Sequence, residues 1–326
     1  MATRANALRL TAVLITCALT AGCGLFDSSS DNVAADVERT NLRIGVLPVV
    51  DVAPLRIALT EKLFEKAGLQ VTLVPQSNEA DSIKQLDTQL DLTWATHVSL
   101  FRAVAEGTEL QLQGEAYQAG PNSMALVTSA ASDYDDPAKK PAPTIAVNNE
   151  TDIGALTTRA VLDTAGVEKQ RIKFKTMPFG EMEQALTSGT VDAAFMIEPF
   201  ITKAQRKIGA KIVTDTARGP TLDFPMSGYA SSKKFADQNP KTLKLFRDVL
   251  RQAQQAAANN KLGVQDSLTG YADVDQPTAA LVSVGVFPLG LNPIRLQRVA
   301  DMMDTEDVLS GRLDVQQLLP PGTNNS

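Results

Sequence analysis

Two side chains with chemical potential occur once each, Trp94 and His97, and they sit three residues apart. The two cysteines, Cys17 and Cys23, both lie close to the N-terminus. A metal centre takes three or four His, Cys, Asp or Glu donors, and a nucleophilic triad needs a base with an orienting partner. One histidine, and no cysteine beyond Cys23, supply neither. What the chain does supply is acid. Six short segments each follow an apolar run: 48–51, 76–79, 95–97, 148–152, 179–181 and 197–199. They carry Asp51, Glu79, Glu150, Asp152, Glu181 and Glu198, and no Lys or Arg. Such a set suits a neutral or cationic solute with N–H donors, such as an aminopyrimidine or another amine. A sulfonate or nitrate would want a cation or a free helix N-terminus, and the helix N-termini of these segments leave that route open.

The elements that must position these segments form an internal repeat. Leu42-Arg43-Ile44-Gly45-Val46-Leu47 and Thr144-Ile145-Ala146-Val147 read as short buried strands. A helical pattern follows each, at 54–67 and 152–165, and each ends in Ala-Gly, at Gly68 and Gly166. Pro54 suits the first turn of one helix, and Thr151 or Asp152 the N-cap of the other. Second strands follow at 70–74 and 171–176, then a further helix. The closest match comes last: Leu90-Asp91-Leu92-Thr93-Trp94 beside Val191-Asp192-Ala193-Ala194-Phe195. Both halves therefore read β-α-β-α-β. Parallel strands joined by helices predict three-layer α/β sandwiches. Ligands of open α/β sheets bind beyond the carboxyl ends of the strands, so two such sheets facing each other would pool all six segments in a cleft. Strands at 122–128 and 226–231 carry the chain out of the first lobe and back. The expected division is 41–127 plus 229–326 for lobe 1 and 128–228 for lobe 2. The rest reads as mostly helical, with starts at Asn239-Pro240, Pro277 and Asn292-Pro293.

Length and composition fit this organisation. At ~100–200 residues per domain, 326 residues is long for one domain and short for three. Hydrophobic residues make up 44% and charged residues 21%, an ordinary globular balance. A net charge of −6 and a pI near 5.0 argue against nucleic-acid binding. The N-terminus differs from the rest. Arg4 and Arg9 precede a short apolar run at 10–19, then small residues Thr20-Ala21-Gly22 and Cys23. This describes a secretory signal too short to span a bilayer. Its end looks like a bacterial lipobox, which implies cleavage before Cys23 and a lipid on that thiol. Plain signal cleavage is the alternative. Residues 24–40 are rich in Ser, Asp and Ala and read as a flexible tether.

Leu42-Arg43-Ile44-Gly45-Val46-Leu47-Pro48, the Asp91 to Trp94 strand, Ile145-Ala146-Val147-Asn148 and Val191-Asp192-Ala193-Ala194-Phe195 with Glu198-Pro199-Phe200 resemble the nitrate/sulfonate/taurine and thiamine-pyrimidine-precursor substrate-binding proteins of ABC importers. The resemblance covers about residues 41–290. It implies the type II periplasmic-binding-protein fold, α/β with two lobes and a cleft between them. It implies no catalysis, no cofactor and no metal. Its partners would be a small-molecule solute, a permease with its ATPase, and the bilayer through the N-terminal lipid, with the chain a monomer on the extracytoplasmic face. Chorismate dehydratases and thiamine-pyrimidine synthases resemble the same architecture. Those enzymes are intracellular, and the synthases use a cysteine-rich motif that is absent here. A solute-sensing lipoprotein would look the same in sequence.

The candidate ligand contacts are Asp51, Asn78, Trp94, Thr96, His97, Tyr117, Asn149, Glu181, Glu198 and Tyr229. Each has a structural alternative. Trp94 stacks on a planar solute or fills the lobe core. His97 gives one hydrogen bond or packs in the first turn of a helix. Asn149, Thr151 and Asp152 serve equally as helix caps. Tyr117 and Tyr229 line the cleft or pack near the crossings. Glu198 meets the solute or closes the lobes with a salt bridge. If Glu198 meets the solute, Glu198→Ala is expected to weaken binding without changing the melting temperature of the empty protein.

Overall fold

The computed structural model describes residues 36–323, so Cys23, the signal and most of the tether lie outside the described residues. The first repeat is β1 (Asn41–Val46), α1 (Ala53–Thr60), α2 (Leu63–Lys66), β2 (Gln70–Pro75), α3 (Glu79–Lys84) and β3 (Leu92–Thr96), followed by α4 (His97–Ala105) and β4 (Leu110–Gln118). The second begins after β5 (Met124–Thr128): β6 (Thr144–Val147), α5 (Ile153–Thr164), β7 (Lys173–Thr176), α6 (Phe179–Thr187), β8 (Ala193–Ile197), α7 (Phe200–Ile208) and β9 (Lys211–Asp215). Then come β10 (Pro225–Ser232), α8 (Lys233–Gln238), α9 (Pro240–Asn259), α10 (Lys261–Ser267), α11 (Gln276–Ala279) and α12 (Pro293–Thr305).

Two five-stranded sheets result, ordered β2-β1-β3-β10-β4 and β7-β6-β8-β5-β9. They are mixed, not purely parallel. The three strands of each repeat are parallel, and the crossing strands β10 and β5 insert antiparallel beside β3 and β8. Helices α1 and α9 pack together on one side of the first sheet, and α4 with α12 form a second group against β10. In the second lobe α6 and α7 share a small apolar cluster around Met182, Leu186, Met196 and Ile201. Phe195 packs toward α5 instead: a Cβ built on Gly154 would meet its ring at 2.7 Å, so only glycine allows that approach.

Two expectations need correction. The predicted helix over 54–67 is broken into α1 and α2, because Lys62 takes a left-handed conformation (φ 57°) between them. The lobe boundaries expected at 127/128 and 228/229 fall inside β5 and β10. Strand β5 belongs to the second sheet and β10 to the first, so the crossings are the irregular segments 119–123 and 216–224. They run side by side, with Ala119 N–H donating to Phe224 O at 2.9 Å.

The repeat has a physical core in two aspartates. Asp91 accepts Arg43 N–H at 2.7 Å and returns its own N–H to Arg43 O at 2.9 Å. Asp192 accepts Thr144 N–H at 2.8 Å and returns its own to Thr144 O, also at 2.8 Å. Each thus fixes the register of a lobe's first and third parallel strands. Each also meets a cation, Arg39 and Arg43 in one case and Lys140 in the other. Asp91→Ala leaves a strand N–H without its charged acceptor, and bonds of that kind contribute about 1.5–3 kcal/mol. Urea unfolding is expected to show a loss of that size for Asp91→Ala and for Asp192→Ala; a loss below about 0.5 kcal/mol for both would deny them this role.

Candidate functional site

Strands β1, β3 and β10 bring together a group of polar side chains in lobe 1. Asp51 lies in a turn of 3₁₀ helix just after β1 and is 1% exposed. Its Oδ2 accepts the hydroxyl of Ser227, on β10, while Oδ1 has no hydrogen-bond partner. Tyr229 follows two residues later on β10, opposite Trp94 of β3, and both are buried. The Tyr229 hydroxyl and Trp94 Nε1 also lack partners. Tyr229 meets Phe246 of α9 edge-on at 5.9 Å. Tyr271 donates to Val49 O at 3.1 Å, and the Arg56 guanidinium lies 4.2 Å above its ring. Burial pushes the Asp51 carboxyl up to about 7 against the Ser227 bond. The charge of Asp51 in turn raises the Tyr117 and Tyr229 hydroxyls further than burial alone.

Tyr117 ends β4. Its hydroxyl accepts Gly285 N–H, and its ring meets Phe287 at 5.4 Å. Gly285 belongs to a strap over 280–290 whose Val286 exchanges two backbone bonds with Gln118. The strap also reaches lobe 2. Ser283 N–H donates to Glu198 Oε1 at 2.9 Å, and Glu198 takes further bonds from the Thr202 hydroxyl and N–H. Glu198 is thus a closure contact that also fills the N-terminus of α7. Burial outweighs these bonds and raises its carboxyl to about 7.

Thr96 caps α4, accepting Ser99 N–H at 3.2 Å. Its hydroxyl lies 2.8 Å from Glu79 Oε2 and 2.9 Å from Asp152 Oδ1, so the two lobes meet at this one group. Asp152 also caps α5 through Ile153 N–H at 2.6 Å. Arg102 reaches Thr151 beside it. Away from the cleft wall, Lys169 pairs with Glu306 at 2.6 Å and Lys203 with Asp273 at 3.3 Å. The lobes are therefore closed on each other.

His97 is fully buried and neutral. It packs 5.8 Å from Phe101, and a Cβ on Gly228 would meet its Cε1 at 2.7 Å. Burial, and then the charge of Arg295, push its imidazole down to about 3. Asn78 and Asn149 are local caps, taking Asp81 N–H and Thr151 N–H. Glu181 is exposed in the first turn of α6. So Asp51, Trp94, Tyr117 and Tyr229 gather on the lobe 1 side, while Thr96 and Glu198 sit where the lobes touch. Asn78, Asn149 and Glu181 make no contact with either group. Ser227, Tyr271, Arg56 and Ser283 escaped the sequence reading. Ser227 alternates with Tyr229 on β10 and was within reach of a period-two argument; Ser283, in an irregular segment, carried no signal. Among the described residues, no group of three or more His, Cys, Asp or Glu is placed to hold a metal ion.

The family model that matches residues 35–265, more than two thirds of the sequence, is that of the NMT1-like family. The chain belongs to the NMT1-like family. No curated protein matches the sequence. Its fold is the two-lobe type II periplasmic-binding-protein fold, and solved structures share it at low identity. The alkanesulfonate-binding protein SsuA of Xanthomonas axonopodis pv. citri, bound to MOPS, superposes with a TM-score of 0.74 at 18% identity, covering 86% of this chain and 98% of that one. The aliphatic sulphonate-binding protein SsuA of Escherichia coli gives 0.71 at 17%, covering 88% and 94%. The nitrate-binding protein NrtA of Synechocystis PCC 6803 gives 0.63 at 17%, covering 74% and 69%.

Two outcomes follow. Because Glu198 ties α7 to the strap, Glu198→Ala is now expected to lower the melting temperature of the empty protein as well; an unchanged value would restore the solute-only role. The unfolded chain titrates His97 near 6.5 while the native protein titrates it near 3. The unfolded state therefore binds more protons in between, and stability falls as pH drops from about 6.5 toward 3. Carbon-13 NMR of the imidazole is expected to show the neutral ring at pH 5; a protonated ring there would contradict its burial.

Proposed function

We propose that the protein is an extracytoplasmic solute receptor of an ABC importer, capturing an amine-bearing or aminopyrimidine-like molecule by closure of its lobes. The observation that carries the solute class is Asp51: a buried carboxyl oxygen without a partner, on the same lobe as the Tyr229 hydroxyl it acts on and the Trp94 ring nitrogen opposite Tyr229, which also lack partners. Such a wall takes an N–H donor on the carboxylate and a flat apolar face against the aromatic rings.

The helix N-termini support the same reading. The sequence left them open to an anion. In the structure Glu79 takes Thr96 N–H at the start of α4, Asp152 takes Ile153 N–H on α5, and Glu198 takes Thr202 N–H on α7. At these three helices the protein's own carboxylates hold N–H groups that a sulfonate or nitrate would use, while α1 and α6 start without a side-chain cap. The chain acts here as a carrier, not an enzyme; delivery would be to a membrane permease and its ATPase. Lipidation at Cys23 would keep the body near that permease, and no helix among the described residues is long and apolar enough to cross a membrane.

A thermal-shift panel of aminopyrimidines, polyamines, taurine, alkanesulfonates and nitrate tests the class. A ligand bound only by the native state adds about 2.7 kcal/mol at 100 Kd. A shift is expected from an amine or aminopyrimidine and is expected to vanish in Asp51→Asn. A shift from a sulfonate or nitrate alone would overturn the solute class.

A further inference from the structure

The contact between the lobes at Thr96 has a proton count that does not close with ionised carboxylates. The Thr96 hydroxyl has one hydrogen and two lone pairs. It accepts Ser99 N–H at 3.2 Å, and it lies within hydrogen-bond distance of Glu79 Oε2 on its own lobe and Asp152 Oδ1 on the other. Its single hydrogen reaches only one of these oxygens. The second short oxygen–oxygen contact needs a hydrogen of its own. One added proton on Glu79 completes the set, with a lone pair of the same Oε2 keeping the Thr96 N–H bond at 2.8 Å. Glu79 then donates to Thr96 Oγ, Thr96 donates to Asp152 Oδ1, and Ser99 N–H fills the remaining lone pair of Thr96.

We infer that lobe closure takes up a proton at the Glu79–Thr96–Asp152 contact, so that the closed form is favoured at low pH and released as pH rises. This regulates the solute site and rests on the reading of the molecule as a two-lobe receptor.

The surroundings offer no cation to replace that proton. Neither Glu79 nor Asp152 has an ion-pair partner among the described residues. On α3, Asp81 is held by Asn78. On α4, Arg102 is engaged by Thr151 and Glu106, and His97 is neutral. From lobe 2, Glu150 is exposed, and Arg159 lies over Phe174 at 4.8 Å. Burial of the Glu79 carboxyl, and then the charge of Asp152, raise it to about 8. Opening separates Asp152 from Glu79 and admits water, returning Glu79 toward the ordinary carboxylate range. The closed form therefore binds more protons than the open form. Closure is complete in its advantage below the open-form value and loses it as pH rises to about 8. For one proton the closing equilibrium changes by up to about tenfold per pH unit within that window.

Three other raised acids behave differently, of which Glu115 is paired with Arg295 within lobe 1. Asp51 is bonded to Ser227 within lobe 1, so that bond does not depend on closure. Glu198 receives three donors, one of them Ser283 N–H from across the lobes, and its carboxyl is raised only to about 7, so a proton taken up there belongs to a step below that of Glu79.

Solution X-ray scattering of the protein without solute, between pH 5 and 9, reads the lobes directly. The radius of gyration is expected to rise with pH, with its last step near pH 8. Glu79→Gln places an amide donor where the proton sits, and is expected to stay compact through pH 9. Asp152→Asn removes the repelling charge and is expected to move the step to lower pH. Circular dichroism melting confirms that both variants fold. A radius independent of pH in the wild type, or a step near pH 8 that persists in Glu79→Gln, would overturn the inference. The experiment uses no solute, so it stands or falls separately from the thermal-shift panel.

Discussion

The molecule depends on carboxylates placed against backbone N–H groups. Asp91 and Asp192 do this within the sheets, where each binds the first residues of a parallel strand pair and so sets the register of its lobe. Glu79, Asp152 and Glu198 do it at the cleft, on helices α4, α5 and α7. The physics is the same in both places. An amide N–H at a helix or strand start has no partner within its own element, and an acid supplies one at low cost in order. At the cleft the same acids form a surface where the two lobes touch, at Thr96 and at Ser283.

That surface makes the closed state a compromise. Thr96 and Ser283 join the lobes through acids that burial disfavours as ions. Trp94, Tyr117 and Tyr229 are buried on the lobe 1 side, where Asp51 keeps one oxygen without a partner. A solute with N–H donors and a flat face would satisfy that oxygen and shift the balance between open and closed forms by its differential affinity for them. The two crossings at 119–123 and 216–224 lie side by side, an arrangement about which two lobes can hinge.

The repeat was legible in the sequence because it is written in periodic signals. The strand–helix–strand order, the Ala-Gly helix ends at Gly68 and Gly166, and the matched Asp91 and Asp192 all depend on local residue types. The crossing strands were legible as strands, but not as members of the opposite sheet, since sheet membership is a pairing property. The break at Lys62 was hidden because a lysine in the left-handed region carries no sequence mark. At the site, the acid-rich character could be read from composition alone. The distribution of work among the acids could not. Glu198 is a closure contact through Ser283, 85 residues away along the chain, and Asp152 is both cap and lobe contact. His97, the sole imidazole, drew attention by its rarity, and it lies buried beside Gly228 with neither ring nitrogen in a side-chain hydrogen bond.

A cleft of this kind is proposed to select N–H donors over anions. The most direct measurement is native mass spectrometry of the protein as purified from its own cells, followed by release and identification of any small molecule that travels with it. The expected compound has a basic or heterocyclic amine nitrogen and no sulfonate group, and is lost when Asp51→Asn is purified in the same way. A sulfonate or nitrate held by the wild type, and retained by Asp51→Asn, would contradict that selectivity.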